Sequence, residues 1–312
     1  MKIIRHASRH TPLPHPVIGL GNFDGVHLGH QRILSRLVEE ARARQGTALA
    51  MTFYPHPLSV LRPGSPVPLI LSLREKLRRI AELGVDGIVV QRFGLDFSQL
   101  APEAFVRQYL LDSIGVEKIL VGHNFSFGRD RAGNVGLLSS LGKRWGFEVE
   151  VMGSVTVGPQ EVSSTVVRAL LQTGKLYEAT TLLAQPYAVS GRVVKGFQRG
   201  RQIGFPTANI RPRTSVLLPN GVYAVRACVN DGEYDAVANV GVNPTFGANQ
   251  RTVETNLFDF SADLYGKRLR VSFVKHLREE RKFSSVEDLV QQIREDADRA
   301  RSFLSSTGNT PS

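Results

Sequence analysis

Through about the first 150 residues, short apolar runs alternate with segments of helical period, and that alternation leaves few folds open. Residues 17–23 begin with the apolar run Val17 to Leu20. Ile33, Leu34, Leu37, Val38 and Ala41 then recur at helical spacing, in a helix reaching to about residue 45. Further strands are expected at 47–53, 87–93, 118–121 and 147–152, with helices over 73–83, 105–114 and 135–145. Residues 54–68 read as a Pro-rich loop. Strands separated by helices of this length argue for a parallel sheet wound by right-handed crossovers. Two more helical segments, 164–172 and 176–183, close this half. From Tyr187 the pattern changes to strands, at 188–194, 221–229, 233–240, 253–258 and 269–274. Asn230-Asp231-Gly232 between two alternating runs is a tight hairpin signal. A long amphipathic helix runs from Val286 to about Phe303. The reading is an α/β domain over residues 1–185, then a small antiparallel β-barrel with a terminal helix over 186–305. A loose tail of Ser, Thr, Gly and Pro follows at 306–312.

Composition narrows the function classes. The one cysteine, Cys228, excludes an intramolecular disulfide and fits a reducing compartment. The first 16 residues carry Lys2, Arg5 and Arg9 but no apolar core like that of a secretory signal. No stretch approaches the ~20 apolar residues of a membrane span. A cytoplasmic protein without membrane partners is expected. The net charge of +11 suggests either a polyanion partner or sites for anionic small molecules. The basic spots Arg42-Ala43-Arg44 and Arg74 to Arg79 fall on amphipathic helices, where a charged face turned to water is expected. No basic stripe interleaved with aromatics stands out, so the second reading is favoured and no nucleic-acid partner is expected.

The chemistry concentrates at Gly21-Asn22-Phe23-Asp24-Gly25-Val26-His27-Leu28-Gly29-His30, a strand-to-helix turn. The free N–H groups of a helix start lie there, backed by roughly half a positive charge from the helix dipole. Glycines let the chain approach a bulky ligand, and the turn is suited to holding phosphate. Zinc is the rival reading of the two histidines. With one cysteine and no nearby carboxylate cluster beyond Asp24, a closed zinc site would be hard to complete. Neither a Walker loop nor a Gly-x-Gly-x-x-Gly fingerprint is present, so phosphates must be held another way.

Four further segments of the first half look chemical: Thr52-Phe53-Tyr54-Pro55-His56-Pro57, residues 121–128 with Asn124, Phe125 and Phe127, the basic loop 128–133, and Ser163-Ser164-Thr165-Val166-Val167-Arg168. The last starts a helix, and on its own self-capping is the simpler reading. In the second half, Gly196, Gly200 and Gly204 with Arg199 and Arg201 between them form a flexible loop that could face phosphates, a surface or RNA. It leads into Pro206-Thr207-Ala208-Asn209, where Thr207 and Asn209 alternate to one strand face and could ligate Mg²⁺ as oxygen donors. Pro219 to Val225, Asn239 to Phe246 and Thr252-Val253-Glu254-Thr255-Asn256 complete the series.

The His-x-Gly-His form after a strand resembles the signature of the nucleotidylyltransferase superfamily. With the other segments it reproduces, in order, the pattern of bacterial FAD synthetases, and the second half looks like a riboflavin kinase domain. The chain thus resembles the bacterial bifunctional riboflavin kinase/FAD synthetases. The resemblance implies a Rossmann-like nucleotidyltransferase domain followed by a kinase barrel. It implies ATP, riboflavin, FMN and FAD as substrates and products, and Mg²⁺ as cofactor. His27 and His30 would stabilise the α-phosphate, with Gly21, Phe23, Ser164, Thr165 and Arg168 also at the ATP of that site. Asn124 and Phe127 would contact nucleotide or flavin. In the kinase, Thr207 and Asn209 would bind Mg²⁺ and ATP phosphates together with Gly196 and Arg201, and Glu254 would be the general base. His123 carries no assignment. A monomer or weak homo-oligomer is expected. Two rivals stand beside this: an adenylyltransferase for pantetheine phosphate or a nicotinamide nucleotide, which leaves the barrel unexplained, and a basic nucleic-acid-binding protein on an enzyme-like scaffold.

Overall fold

The computed structural model describes residues 2–5, 13–65, 67–195, 204–212, 214, 216–230, 232–242 and 251–307. Gly196, Arg199, Gly200, Arg201, Asp231, residues 243–246 and the tail from 308 lie outside them. The chain forms two compact units, one of residues 1–67 and 73–164, the other of 68–72 and 165–312.

In chain order the first unit holds β1 (Lys2–Arg5), β2 (Val17–Leu20), α1 (Leu28–Ala43), β3 (Ala48–Tyr54), α2 (Pro57–Leu61), α3 (Leu73–Glu82), β4 (Gly87–Arg92), α4 (Leu95–Ser98), α5 (Pro102–Phe105) and α6 (Asp112–Ile114). A π-helical stretch, Val106–Leu111, joins the last two. Then come β5 (Lys118–Gly122), the short strands β6 (Ser126–Phe127) and β7 (Gly133–Asn134), α7 (Val135–Trp145), β8 (Glu148–Met152), β9 (Thr156–Val157) and β10 (Gln160–Glu161). The sheet runs β1-β4-β3-β2-β5-β8 with every described pairing parallel. All four residues of β2 are buried, as a central strand covered on both faces requires. α1 covers it with Ile33, Leu34, Leu37 and Ala41, the apolar stripe of its 3.6-residue period. Each such large side chain contributes roughly 1.5–3 kcal/mol by leaving water.

The strand order places the functional turn. From β2 the chain goes through α1 to β3 on one side, while β5 lies on the other. That reversal opens a crevice at the carboxyl ends of β2 and β5, the usual ligand position in such sheets. Two details depart from the sequence expectation. The loop 54–68 contains a helical turn, α2, begun by Pro57 and capped by His56, whose Nδ1 accepts from the Leu58 N–H at 3.3 Å. The charged face expected to meet water on α3 does so only in part: Arg74 is exposed, whereas Glu75, Lys76 and Arg79 are 4%, 7% and 1% exposed. Arg42 behaves as expected, half-exposed and bidentate to Asp86.

The second unit carries most of α8 (Ser164–Gln172), α9 (Leu176–Leu183), and the strands β11 (Ala188–Val194), β12 (Ala208–Pro212), β13 (Gly221–Val229), β14 (Gly232–Val242), β15 (Arg251–Leu257) and β16 (Arg268–Arg278). The strands close a barrel in the order β11-β12-β15-β14-β13-β16, all antiparallel. β13 and β14 pair from Gly221 opposite Val240 to Val229 opposite Gly232, with Asn230 at φ 48 in the hairpin. A terminal helix, α10 (Val286–Thr307), buries Ala300 and Leu304 against Val222, Ala224, Val237 and Phe258.

Candidate functional site

The turn after β2 is built around Phe23. Its ring is fully buried, and the backbone at Phe23 and Val26 takes positive φ, 48 and 47. Such backbone is costly for residues with a side chain and persists where surrounding packing enforces it. Gly21 makes room: a Cβ there would stand 2.9 Å from the Phe23 ring. Phe23 in turn sets its ring edge-on to His30, with centroids 5.3 Å apart and planes at 83°. The His27 and His30 rings stack at 3.6 Å with 20° between their planes. α1 starts at this point with His27 as its cap residue, no side-chain cap bond and no acidic residue in its first turn. The helix start thus keeps its positive end, facing the two imidazoles.

Burial governs the protonation of this pair. It pushes His27 down to about 4, against the opposing pull of the Asp24 carboxylate and a backbone hydrogen bond. His30 is lowered well below the usual imidazole range by desolvation first, then by the charges of His27 and Lys76. Both rings are therefore neutral at physiological pH. The Nδ1 atom of each is buried without a hydrogen-bond partner among the described residues. Buried polar atoms without partners are uncommon and costly. Here two of them stand within one stacked pair, beside an uncapped helix start.

The other expected residues of this half have different surroundings. Ser164 donates to the Asp24 carbonyl at 2.8 Å, so the hydroxyl secures the histidine turn rather than capping its own helix. Thr165 is exposed, and Arg168 donates through Nε to the Pro68 carbonyl at 2.8 Å; both belong to the second unit. Asn124 is exposed just beyond β5. Phe127 is buried in the core, stacked with Phe125 at 5.5 Å, and Phe125 is the more accessible ring. The sequence reading passed over Lys76. Its Nζ donates to the Asn22 carbonyl at 2.9 Å and to Thr52 Oγ1 at 2.8 Å.

In the barrel, Asn209 of β12 pairs with Glu254 of β15, and Glu254 pairs with Asn239 of β14. Directly opposed residues share a sheet face, so the three form one polar row across adjacent strands. Val253 and Thr255, which flank Glu254, are fully buried on the other face. Asn209 is 7% exposed, and its Oδ1 has no hydrogen-bond partner among the described residues. A hard cation suits such an oxygen. Thr207, half-buried, precedes it by two residues. Glu280 Oε1 accepts from Asn239 Nδ2 at 3.2 Å and its Oε2 from Asn220 Nδ2 at 2.9 Å, tying the row to the end of β16. Among the described residues no group of three or more His, Cys, Asp or Glu is arranged to hold a metal ion.

Residues 10–166 match the family model described as FAD synthetase, and residues 183–304 match that described as riboflavin kinase. A protein of Escherichia coli (strain K12), the bifunctional riboflavin kinase/FMN adenylyltransferase, is 38% identical over 310 residues, 98% of this chain and 99% of its own. The protein of that description from Bacillus subtilis (strain 168) is 37% identical over 296 residues, 93% of each chain. A crystal structure from Streptococcus pneumoniae, described as a macrolide-efflux protein, superposes with a TM-score of 0.84 at 31% identity, over 96% of this chain and 99% of that one. Among the described residues no helix is long and apolar enough to cross a membrane.

Proposed function

Since the chain belongs to the bifunctional riboflavin kinase/FMN adenylyltransferase family, which makes FMN from riboflavin and FAD from FMN, we propose a residue-by-residue division of that work between its two sites. Adenylyl transfer takes place at the turn after β2. There an FMN phosphate oxygen attacks the α-phosphorus of ATP, the bond to pyrophosphate breaks, and negative charge gathers on the α-phosphate oxygens. His27 and His30, neutral and each able to donate one ring N–H, stabilise that charge together with the free amides of α1. Gly21 and Phe23 shape the turn, and Ser164, Thr165 and Arg168 hold the triphosphate. Asn124 and Phe127 contact nucleotide or flavin, with Phe125 beside them. The observation that carries this reading is the stacked imidazole pair with two partnerless buried nitrogens at an uncapped helix start.

Riboflavin phosphorylation takes place at the polar row of the barrel. Glu254 takes the proton of the riboflavin 5′-hydroxyl as that oxygen attacks the γ-phosphorus and ADP leaves, a role that typically contributes ~10²–10⁴-fold. Thr207 and Asn209 hold Mg²⁺, which when bound neutralises charge on the ATP phosphates; the partnerless Asn209 oxygen opposite Glu254 supports this. Gly196 and Arg201 are assigned to the same ATP. Transferase and kinase are assigned to residues 1–185 and 186–305, counting α8 and α9 with the transferase because α8 begins with Ser164 and Thr165 and carries Arg168. Neither family model covers 167–182. A cytoplasmic enzyme, monomeric or weakly self-associating and without nucleic-acid partners, completes the proposal.

Incubation of the purified chain with riboflavin, ATP and Mg²⁺, followed by chromatographic separation of the flavins, tests it. FMN and FAD both accumulate on this reading. Unchanged riboflavin discards the kinase, and FMN without FAD discards the transferase. EDTA should stop FMN formation, and persistence of activity there would remove Mg²⁺ from the scheme.

A further inference from the structure

Lys76 is 7% exposed and has no part in the division of work above. Burying a cation is expensive, and such groups are normally paired. Two of its three protons go to the Asn22 carbonyl and Thr52 Oγ1, and Thr52 Oγ1 itself donates to the same carbonyl at 3.0 Å. The third has no partner among the described residues. Asn22 lies in the turn after β2, Thr52 lies near the end of β3, and Lys76 reaches both from α3. The charged and titratable groups that face it are Asp24 from the turn and His30 from α1, with His27 stacked on His30. On its own helix, Glu75 and Arg79 face each other at 3.6 Å. Burial brings Lys76 down to about 8, with Asp24 pulling the other way.

We propose that Lys76 is a positioning residue of the adenylyl-transfer site, which clamps the turn carrying the imidazole pair and sets behind it a buried positive charge that the triphosphate of ATP balances. The proposal rests on the reading of His27 and His30 as a phosphate site. The mechanical path is short. Lys76 holds the carbonyl of Asn22, the next residue is Phe23 with its enforced positive φ, and the Phe23 ring abuts His30. The electrostatic path is reciprocal: if a protonated Lys76 favours nucleotide, nucleotide favours protonated Lys76. In the free enzyme the group loses its proton as pH rises through about 8, and capture of ATP weakens with it.

The full-length chain with Lys76→Met and Lys76→Arg tests this, through kcat and KM for ATP in FAD synthesis from FMN between pH 6.5 and 9.5, with riboflavin phosphorylation measured on the same preparations. A misplaced turn should lower kcat/KM for ATP by ~10²-fold in Lys76→Met, while FMN formation stays at the wild-type rate. Wild type should show a fall in kcat/KM above pH 8. Lys76→Arg, whose guanidinium does not titrate in this range, should recover much of the activity and lose that fall. A lysine with only a packing role would leave the alkaline limb in place. Wild-type kcat/KM in Lys76→Met, or an unmoved alkaline limb in Lys76→Arg, overturns the proposal. If Lys76→Met fails to fold, the Lys76→Arg profile decides alone. If wild type makes no FAD at all, the phosphate-site reading itself falls, a result separate from either.

Discussion

Replacing His27 by Gln isolates the cost of burying an imidazole at the turn. In the folded chain the ring titrates near 4, against 6.5 for an exposed histidine. The unfolded chain therefore binds the proton more readily, and acid favours unfolding. The stability in question is fully present above pH 6.5 and is lost progressively as pH falls toward 4. A difference of 2.5 pH units corresponds to about 3 kcal/mol in full, of which roughly 2 kcal/mol is lost between pH 7 and pH 5. Glutamine keeps a polar side chain of similar reach and has no proton to gain. The assay is urea unfolding followed by Trp145 fluorescence. Trp145 is the chain's one tryptophan, it lies on α7 in the first unit, and it packs against that unit's core. With a slope of about 2 kcal/mol per molar urea, the midpoint drop from pH 7 to pH 5 should be about 1 M smaller in His27→Gln than in wild type. His30 remains in both proteins and contributes the same sign of loss to each. Equal midpoint drops in the two proteins would refute the argument that burial holds His27 neutral.

The remaining predictions separate the two activities. His30→Ala should cut FAD synthesis by ~10²–10³-fold, the usual cost of one transition-state donor, and leave FMN synthesis intact; Glu254→Ala should show the reverse pattern in the same two flavin assays. Comparable loss of both activities in either variant would assign the effect to folding. Asn209→Leu should abolish most FMN formation yet raise stability by about 1 kcal/mol by calorimetry, because it removes a buried acceptor without a partner. A destabilised Asn209→Leu protein would show that the amide is engaged within the fold.

Local periodicity made much of the architecture legible. The α1 stripe of Ile33, Leu34, Leu37 and Ala41 is the set that the structure buries. α7, α8 and α9 coincide with the apolar segments that suggested them, since a helix that packs one face repeats its signal every turn. β1 gave no such signal because only Ile4 of its four residues is buried. The helical turn α2 was hidden in a Pro-rich stretch whose composition suggests loop. Lys76 was hidden for a different reason. Among Arg74, Arg78 and Arg79 it looks like one more solvated cation, and its partners lie 54 and 24 residues earlier in the chain. The Glu280 link to Asn239 spans 41 residues and is equally invisible to local pattern. The glutamate, the two histidines and the Thr-x-Asn pair were assigned roles because family motifs preserve their spacing, not because burial or charge singled them out.

The polar row across β12, β15 and β14 has a consequence for how the kinase half must assemble. Asn209, Glu254 and Asn239 face one way only because three neighbouring strands are hydrogen-bonded in one particular alignment. Sliding β15 by a single residue would turn Glu254 inward and put Val253 or Thr255 in its place, at the cost of a buried carboxylate. With Glu254 in its proposed role as base, FMN production during refolding is a chemical reporter of correct strand alignment. It should lag behind the recovery of bulk β-structure for any chain that first closes its barrel out of step.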